Sequence, residues 1–293
     1  MAHKAGFVNI IGSPNVGKST LMNVLVGERL SIITSKAQTT RHRIMGIVNG
    51  EDFQIVYSDT PGVLKPNYKL QESMMEFVHT ALTDADVILF VTDIYEDIKI
   101  EEKILNKIKN AGAKVLLLIN KIDLATQEKL EEKVAYWKNE VPNSEVIPVS
   151  ALEKFNVNYI FDRILACLPE GPGFYDKDQL TDKPEKFFVS EIIREKILTN
   201  YKKEIPYSVE VIVESFKDEE KIIKIRAEII VVRDSQKGII IGHQGKALKK
   251  VGTEARKDIE GFFGKQVFLE LFVKVNKDWR DSDTQLKRFG YLS

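Results

Sequence analysis

Between positions 12 and 19 the chain reads Gly12-Ser13-Pro14-Asn15-Val16-Gly17-Lys18-Ser19, and few eight-residue stretches limit a fold so tightly. The pattern follows the apolar β-type run FVNIIG and opens KSTLMNVLVG, whose apolar spacing suits a helix. A strand must therefore feed a glycine turn that feeds a helix. The two glycines let the backbone wrap until its N–H groups converge on phosphate, and the helix N-terminus adds positive potential. Lys18 can reach the outer phosphates, and the hydroxyl of Ser19, ahead of Thr20, is placed to ligate Mg²⁺. Turns of this kind sit at the carboxyl ends of strands in α/β sheets.

The surrounding pattern agrees. From 7 to 168, short β-branched runs alternate with helical ones: DVILFVTD then IEEKILNKIKN, AKVLLLINKID then QEKLEEKVAYWKNE, EVIPVSAL then VNYIFDRILACL. Such alternation builds βαβ units and a mostly parallel sheet buried on both faces. PEGPGFYDKDQLTDKP, rich in proline, glycine and charge, reads as a linker. Beyond it the order is helix, strand, strand, short helix near 237–241, longer helix near 245–261, strand, which describes a small α+β domain with a partly antiparallel sheet. The expected division is a nucleotide-binding domain over 1–170, a linker over 171–184 and a second domain with a C-terminal tail over 185–293. A chain of 293 residues is long enough for two cores of ordinary size.

Composition narrows the partners. Lys plus Arg and Asp plus Glu are equal in number, so net charge is zero and any basic surface must be local. Cys167 is the only cysteine, which leaves no internal disulfide or cysteine metal cluster, and His3, His42, His79 and His243 lack metal-ligand spacing. The apolar runs are far shorter than the roughly 18 residues that span a bilayer, and the N-terminus does not read as a signal peptide. A cytoplasmic location is expected.

Asn120-Lys121-Ile122-Asp123 selects the base. The Asp123 carboxylate can accept from both N1–H and the 2-amino group of guanine, whereas adenine would leave it unpaired. Lys121 would lie along the base. Ser150-Ala151-Leu152 would complete the pocket, with the Ala151 N–H on the guanine oxygen. Asp59-Thr60-Pro61-Gly62 follows the run FQIVYS, where Asp59 can hold Mg²⁺ through water and the Gly62 N–H can sense a γ-phosphate. Either Thr39 or Thr40, in SKAQTTRHR, could close on the metal, with Thr40 favoured. Lys18, Thr40, Asp59 and Gly62 form the expected catalytic set. Ras-like enzymes carry a water-orienting glutamine after the switch glycine, but here that position is Val63. In several GTPases without it, an asparagine at the position of Asn15 helps bind K⁺, so K⁺ is a second candidate cofactor.

Near the end stands Gly242-His243-Gln244-Gly245, followed by Lys246, Lys249 and Lys250. Alone, this is a loose turn with a solvated lysine face or a phosphate cradle. Between 237 and 257, however, Lys237, Lys246, Lys249, Lys250, Arg256 and Lys257 are set against Glu254 alone, the local excess expected of a phosphate contact.

With GSPNVGKST, QTTRHR, DTPG, NKID, SAL and GHQG in this order, the chain resembles the Era-like bacterial GTPases along nearly its whole length. The resemblance implies a slow, Mg²⁺-dependent GTPase domain and a type II KH domain whose GHQG loop admits single-stranded RNA. It further implies binding of GTP and GDP and of rRNA near the 3′ end of the small-subunit RNA, a role in assembly of the 30S subunit, a monomeric state and a peripheral contact with the inner face of the membrane. Three rivals stand beside it. A P-loop ATPase or small-molecule kinase would not need Asp123. A signalling or membrane switch would dock protein or lipid through its second domain. A tRNA-modifying GTPase would carry its cysteine in a C-terminal tail, where Cys167 does not lie.

Overall fold

A computed structural model describes residues 2–95 and 102–292. The chain divides into two compact units, Met1–Asn67 with Gln71–Asp182, and Tyr68–Leu70 with Lys183–Ser293.

The first unit runs β1 (Lys4–Gly12), α1 (Lys18–Val26), β2 (Ile44–Asn49), β3 (Phe53–Asp59), α2 (Lys69–Thr83), β4 (Val87–Asp93), α3 (Glu102–Lys109), β5 (Lys114–Asn120), α4 (Gln127–Glu140), β6 (Glu145–Pro148) and α5 (Val157–Cys167). Its six strands lie in the order β2-β3-β1-β4-β5-β6, and β2 alone is antiparallel to its neighbour. Every residue of β4 is buried, as a central strand covered on both faces requires. The first two residues of the expected helix IEEKILNKIKN, Ile100 and Glu101, lie outside the described residues.

Register places the chemistry. Ile10 pairs with Asp59, Gly12 with Val91, and Asp93 with Asn120, so the glycine turn, the DTPG segment and the NKID segment all leave the sheet at one end. Two elements escape the sequence pattern: the six-residue edge strand β2 and helix α2. Residues expected to form a linker are instead bonded to this unit. The Gln54 side chain accepts from the N–H groups of Phe174 (2.6 Å) and Tyr175 (3.0 Å), the Ile47 N–H donates to Leu180 O (2.8 Å), and the Met45 N–H donates to Asp182 Oδ1 (3.0 Å). This strap covers the β2 edge, satisfying backbone groups that an edge strand would leave open.

The second unit runs α6 (Glu185–Asn200), β7 (Glu210–Asp218), β8 (Ile222–Val231), α7 (Asp234–Ile241), α8 (Lys246–Phe263), β9 (Gln266–Val275) and α9 (Asp283–Arg288). The sheet order is β7-β8-β9, antiparallel then parallel. Alternate residues of β8, Ile223, Ile225, Ala227 and Ile229, face a core shared with Val251, Ala255 and Ile259 of α8 and Val189, Ile193 and Ile197 of α6. Spacings of two on the strand and four on the helices put each set on one face. Gln236 folds back to accept the Arg233 N–H at 3.1 Å, which starts α7 ahead of the expected 237.

Candidate nucleotide pocket and nucleic-acid groove

At the carboxyl end of β1 the chain opens a cleft of about 370 Å³, lined by Pro14, Asn15, Gly17, Lys18, Ser19, Thr20, residues of the 32–40 segment, Gly62 and Lys121. Two glycines here are dictated by geometry. Gly17 has φ +97°, and a Cβ on it would stand 2.2 Å from Asn120 Nδ2; a Cβ on Gly62 would stand 2.7 Å from Pro14 backbone. Lys18, which is buried, donates to Gly12 O (3.0 Å) and Ser13 O (2.8 Å), holding its ammonium over the turn. Val63 is buried, and its N–H donates to Gly12 O at 3.1 Å, so the apolar side chain packs where a water-orienting group was sought.

Beside Lys18 three oxygen side chains converge. The Ser19 hydroxyl donates to Asp59 Oδ2 at 2.6 Å and lies 2.9 Å from Thr40 Oγ1, which in turn stands 3.3 Å from the same carboxylate oxygen. The Thr39 hydroxyl points elsewhere, to Lys36 O (2.6 Å) and Thr34 Oγ1 (2.6 Å). Asp59 is fully buried, and its Oδ1 has no hydrogen-bond partner among the described residues. Burial raises its carboxyl above the ordinary range, while the Ser19 hydroxyl and the Lys18 charge pull it down. Two hydroxyls and a desolvated carboxylate are the donors a hard divalent cation takes, so the residues present fit Mg²⁺. Thr60 turns its hydroxyl inward to Ile10 O (2.7 Å), and Pro61 is buried behind it.

The base-side loops are braced against this turn. Asn120 uses both ends of its amide inside the protein, donating to Val16 O (2.8 Å) and accepting the Ala151 N–H (3.0 Å). A base oxygen would share that N–H rather than find it free. Lys121, at φ +63°, stretches from Asp93 Oδ2 (2.6 Å) to Asn15 O (2.6 Å). Asp93, which the sequence reading does not single out, thus fixes the lysine; its place at the end of the apolar run DVILFVTD is the signal the sequence carries. Ser150 donates to Asp123 Oδ1 at 2.5 Å, leaving Oδ2 for a ligand. Leu152 is 73 % exposed and, like Asn120, Asp123, Ser150 and Ala151, is not among the residues that line the cleft.

In the second unit, Gly242 (φ +69°) ends α7 and Gly245 (φ +75°) precedes α8, with His243 and Gln244 exposed between them. A groove of about 360 Å³ runs from Gly245 along α8 and β9, lined by Leu248, Lys249, Gly252, Thr253, Arg256, Leu269 and Leu271. Lys246 and Lys250 are exposed but outside it, and Lys250 lies 3.8 Å from Glu254. The groove residues Leu248, Gly252, Thr253, Leu269 and Leu271 were missed by the sequence reading. The spacing 245, 248, 249, 252, 253, 256 marks one helical face and could have found the first three.

Comparison with known proteins places both units. Residues 7–121 match the family described as 50S ribosome-binding GTPase, and residues 204–280 match the KH domain family. The chain is 45 % identical over 292 residues to GTPase Era of Staphylococcus haemolyticus and to that of Staphylococcus epidermidis, covering 99 % of this chain and 98 % of each relative. Two solved structures superpose with a TM-score of 0.94 at 39 % identity, over 99 % of this chain and all of theirs. One is Era in complex with MgGDPNP and nucleotides 1506–1542 of 16S ribosomal RNA; the other is a variant of Aquifex aeolicus Era bound to GDP and AlF4⁻.

Proposed function

The chain belongs to the Era family of GTPases and hydrolyses GTP to GDP and phosphate in a P-loop GTPase domain that a KH domain follows, and on that premise we propose that it binds 16S rRNA near its 3′ end and assists small-subunit assembly. The observation that carries the proposal is a full-length likeness to an Era–RNA complex, in a chain whose own groove starts at Gly245, the second glycine of the GHQG loop, and is lined by Lys249 and Arg256. Single-stranded RNA needs both features: backbone stripped of side chain at the clamp, and cations along the track. Crosslinking the protein to cellular RNA and sequencing the fragments tests it. Fragments should cluster at the 3′ end of the small-subunit rRNA; a scattered or absent signal would favour the rival in which the second domain docks protein or lipid.

In the pocket we assign Lys18 to the outer phosphates, Ser19, Thr40 and Asp59 to Mg²⁺, the Gly62 N–H to the γ-phosphate, and Asp123 to the guanine edge. Bound Mg²⁺ offsets the charge that builds on the phosphoryl group during transfer. The protein's own groups position it and carry the switch. Thr40 and Gly62 lie on backbone outside the helices and strands, so loss of the γ-phosphate would release both. No side chain in the position of Val63 orients water, which makes the unaided rate slow.

Asn15 lines the cleft at φ +66°, its carbonyl taken by Lys121 and its side chain left for a ligand, and this supports a K⁺ ion bound there. Hydrolysis should then run about tenfold faster in K⁺ than in Na⁺ at equal ionic strength, a difference of order one charge-assisted contact in the transition state. Equal rates would remove the ion and the role of Asn15. No helix among the described residues is long and apolar enough to cross a membrane. A monomer in the cytoplasm, with peripheral contact at the inner membrane face, completes the reading on the family resemblance alone.

A further inference from the structure

Lining no part of the nucleotide cleft, a charged side chain is held inside the first unit by a polar network. Arg43 is 7 % exposed. Its Nε donates to Ser58 Oγ (2.8 Å), Nη1 to Asp84 Oδ2 (2.6 Å), and Nη2 to both Asp84 Oδ1 (3.0 Å) and Asn9 Oδ1 (3.2 Å). Asn9 closes the ring by donating to Asp84 Oδ1 (2.7 Å) and Ala81 O (2.6 Å).

Each partner belongs to an element that serves the phosphate end of the site. Ser58 precedes Asp59 on β3, Asn9 lies on the strand that delivers Gly12, and Ala81 and Asp84 mark the C-terminal end of α2, the helix downstream of Gly62. Arg43 itself stands three residues after Thr40 and directly before Ile44, which pairs with Asp59. Three residues of chain span at most about 11 Å, so fixing Arg43 restricts where Thr40 can be. A buried guanidinium is a poor source of net stability, because its desolvation roughly offsets its bonds, but it is a strong source of unique geometry.

We propose that Arg43 is a positioning residue for the GTP-bound state: it pins the exit of the 33–40 segment to β1, β3 and α2, so that the Thr40 hydroxyl returns to Ser19 and Asp59 in register. The proposal rests on the assignment of Thr40 to Mg²⁺ above. It separates Arg43 from a residue that merely holds the fold, since Thr40 is engaged with GTP and released with GDP. Loosening the pin therefore weakens one nucleotide and spares the other.

The test measures affinity for GDP and for a non-hydrolysable GTP analogue, both with Mg²⁺, in the wild type, Arg43→Lys, Asp84→Asn and Thr40→Ala, beside thermal melting. Lysine keeps the charge but cannot reach Ser58, Asn9 and Asp84 together. Asp84 has a side chain 39 % exposed, so Asp84→Asn carries the same test if Arg43→Lys does not fold. We expect the analogue to weaken about tenfold in each variant while GDP changes less than about twofold, and Thr40→Ala combined with Asp84→Asn to lose little more than Thr40→Ala alone. If Arg43→Lys and Asp84→Asn weaken both nucleotides in the same proportion, or neither, Arg43 is structural only and the proposal is overturned. If Thr40→Ala itself leaves the ratio unchanged, the assignment of Thr40 fails instead.

Discussion

Asp123→Asn should lower GTP affinity by about 10²-fold or more and transfer the preference to xanthosine triphosphate. The reason lies in donor and acceptor bookkeeping at one edge of the base. Guanine offers two donors, N1–H and the 2-amino group, and a carboxylate accepts both in charge-assisted bonds. In the structure Ser150 already donates to Asp123 Oδ1, which fixes the plane of the carboxylate and turns Oδ2 outward. An asparagine in this setting would accept the Ser150 hydroxyl with its oxygen and present its NH₂ to the ligand. That NH₂ opposes the guanine amino group but matches the 2-carbonyl of xanthine. Competition binding with the two triphosphates checks it. If the variant keeps its guanine preference, Asp123 does not read the base.

The segments of the candidate site are legible in the chain because each is local. The P-loop and NKID segments are runs of consecutive residues whose proposed roles rest on short-range geometry, and the sheet register brings them to one end. The sequence favours Thr40 over Thr39 without deciding between them. Both have hydroxyls on adjacent residues, and only the course of the 34–40 loop turns one inward to Asp59 and the other back to Lys36. The bonds that hold the expected linker to the first unit are not legible for a related reason. Proline, glycine and charge do mark a chain without its own secondary structure, but Gln54, about 120 positions earlier, supplies the hydrogen bonds that hold it down. β2 escaped notice because six residues with a central glycine carry little pattern. In the second unit, alternation gave the strand β9, yet it could not show that Leu269 and Leu271 wall a groove.

The second large effect is expected at the loop between α7 and α8. Replacing His243 and Gln244 together by aspartate places two negative charges where the RNA backbone would pass, and like charges facing a phosphate cost several kcal/mol. The fold should tolerate the change. Both side chains are exposed, and aspartate accepts the left-handed backbone that Gln244 holds at φ +51°. RNA affinity should fall well over tenfold, while GTP affinity, set in the first unit, stays the same. Lys249→Ala should act differently, weakening all RNA sequences alike and flattening the salt slope by about 0.7 for the one phosphate that lysine neutralises.

The most direct measurement is a salt titration of binding to a fragment from the 3′ end of 16S rRNA, made with the wild type and the His243→Asp, Gln244→Asp double variant, with GTP affinity measured on the same preparations. The account predicts a steep dependence on salt for the wild type, a curve displaced to weaker binding by more than tenfold for the variant, and identical GTP affinities. Coincident RNA curves, or wild-type binding indifferent to salt, would contradict it and leave the second unit as a domain that docks something other than RNA.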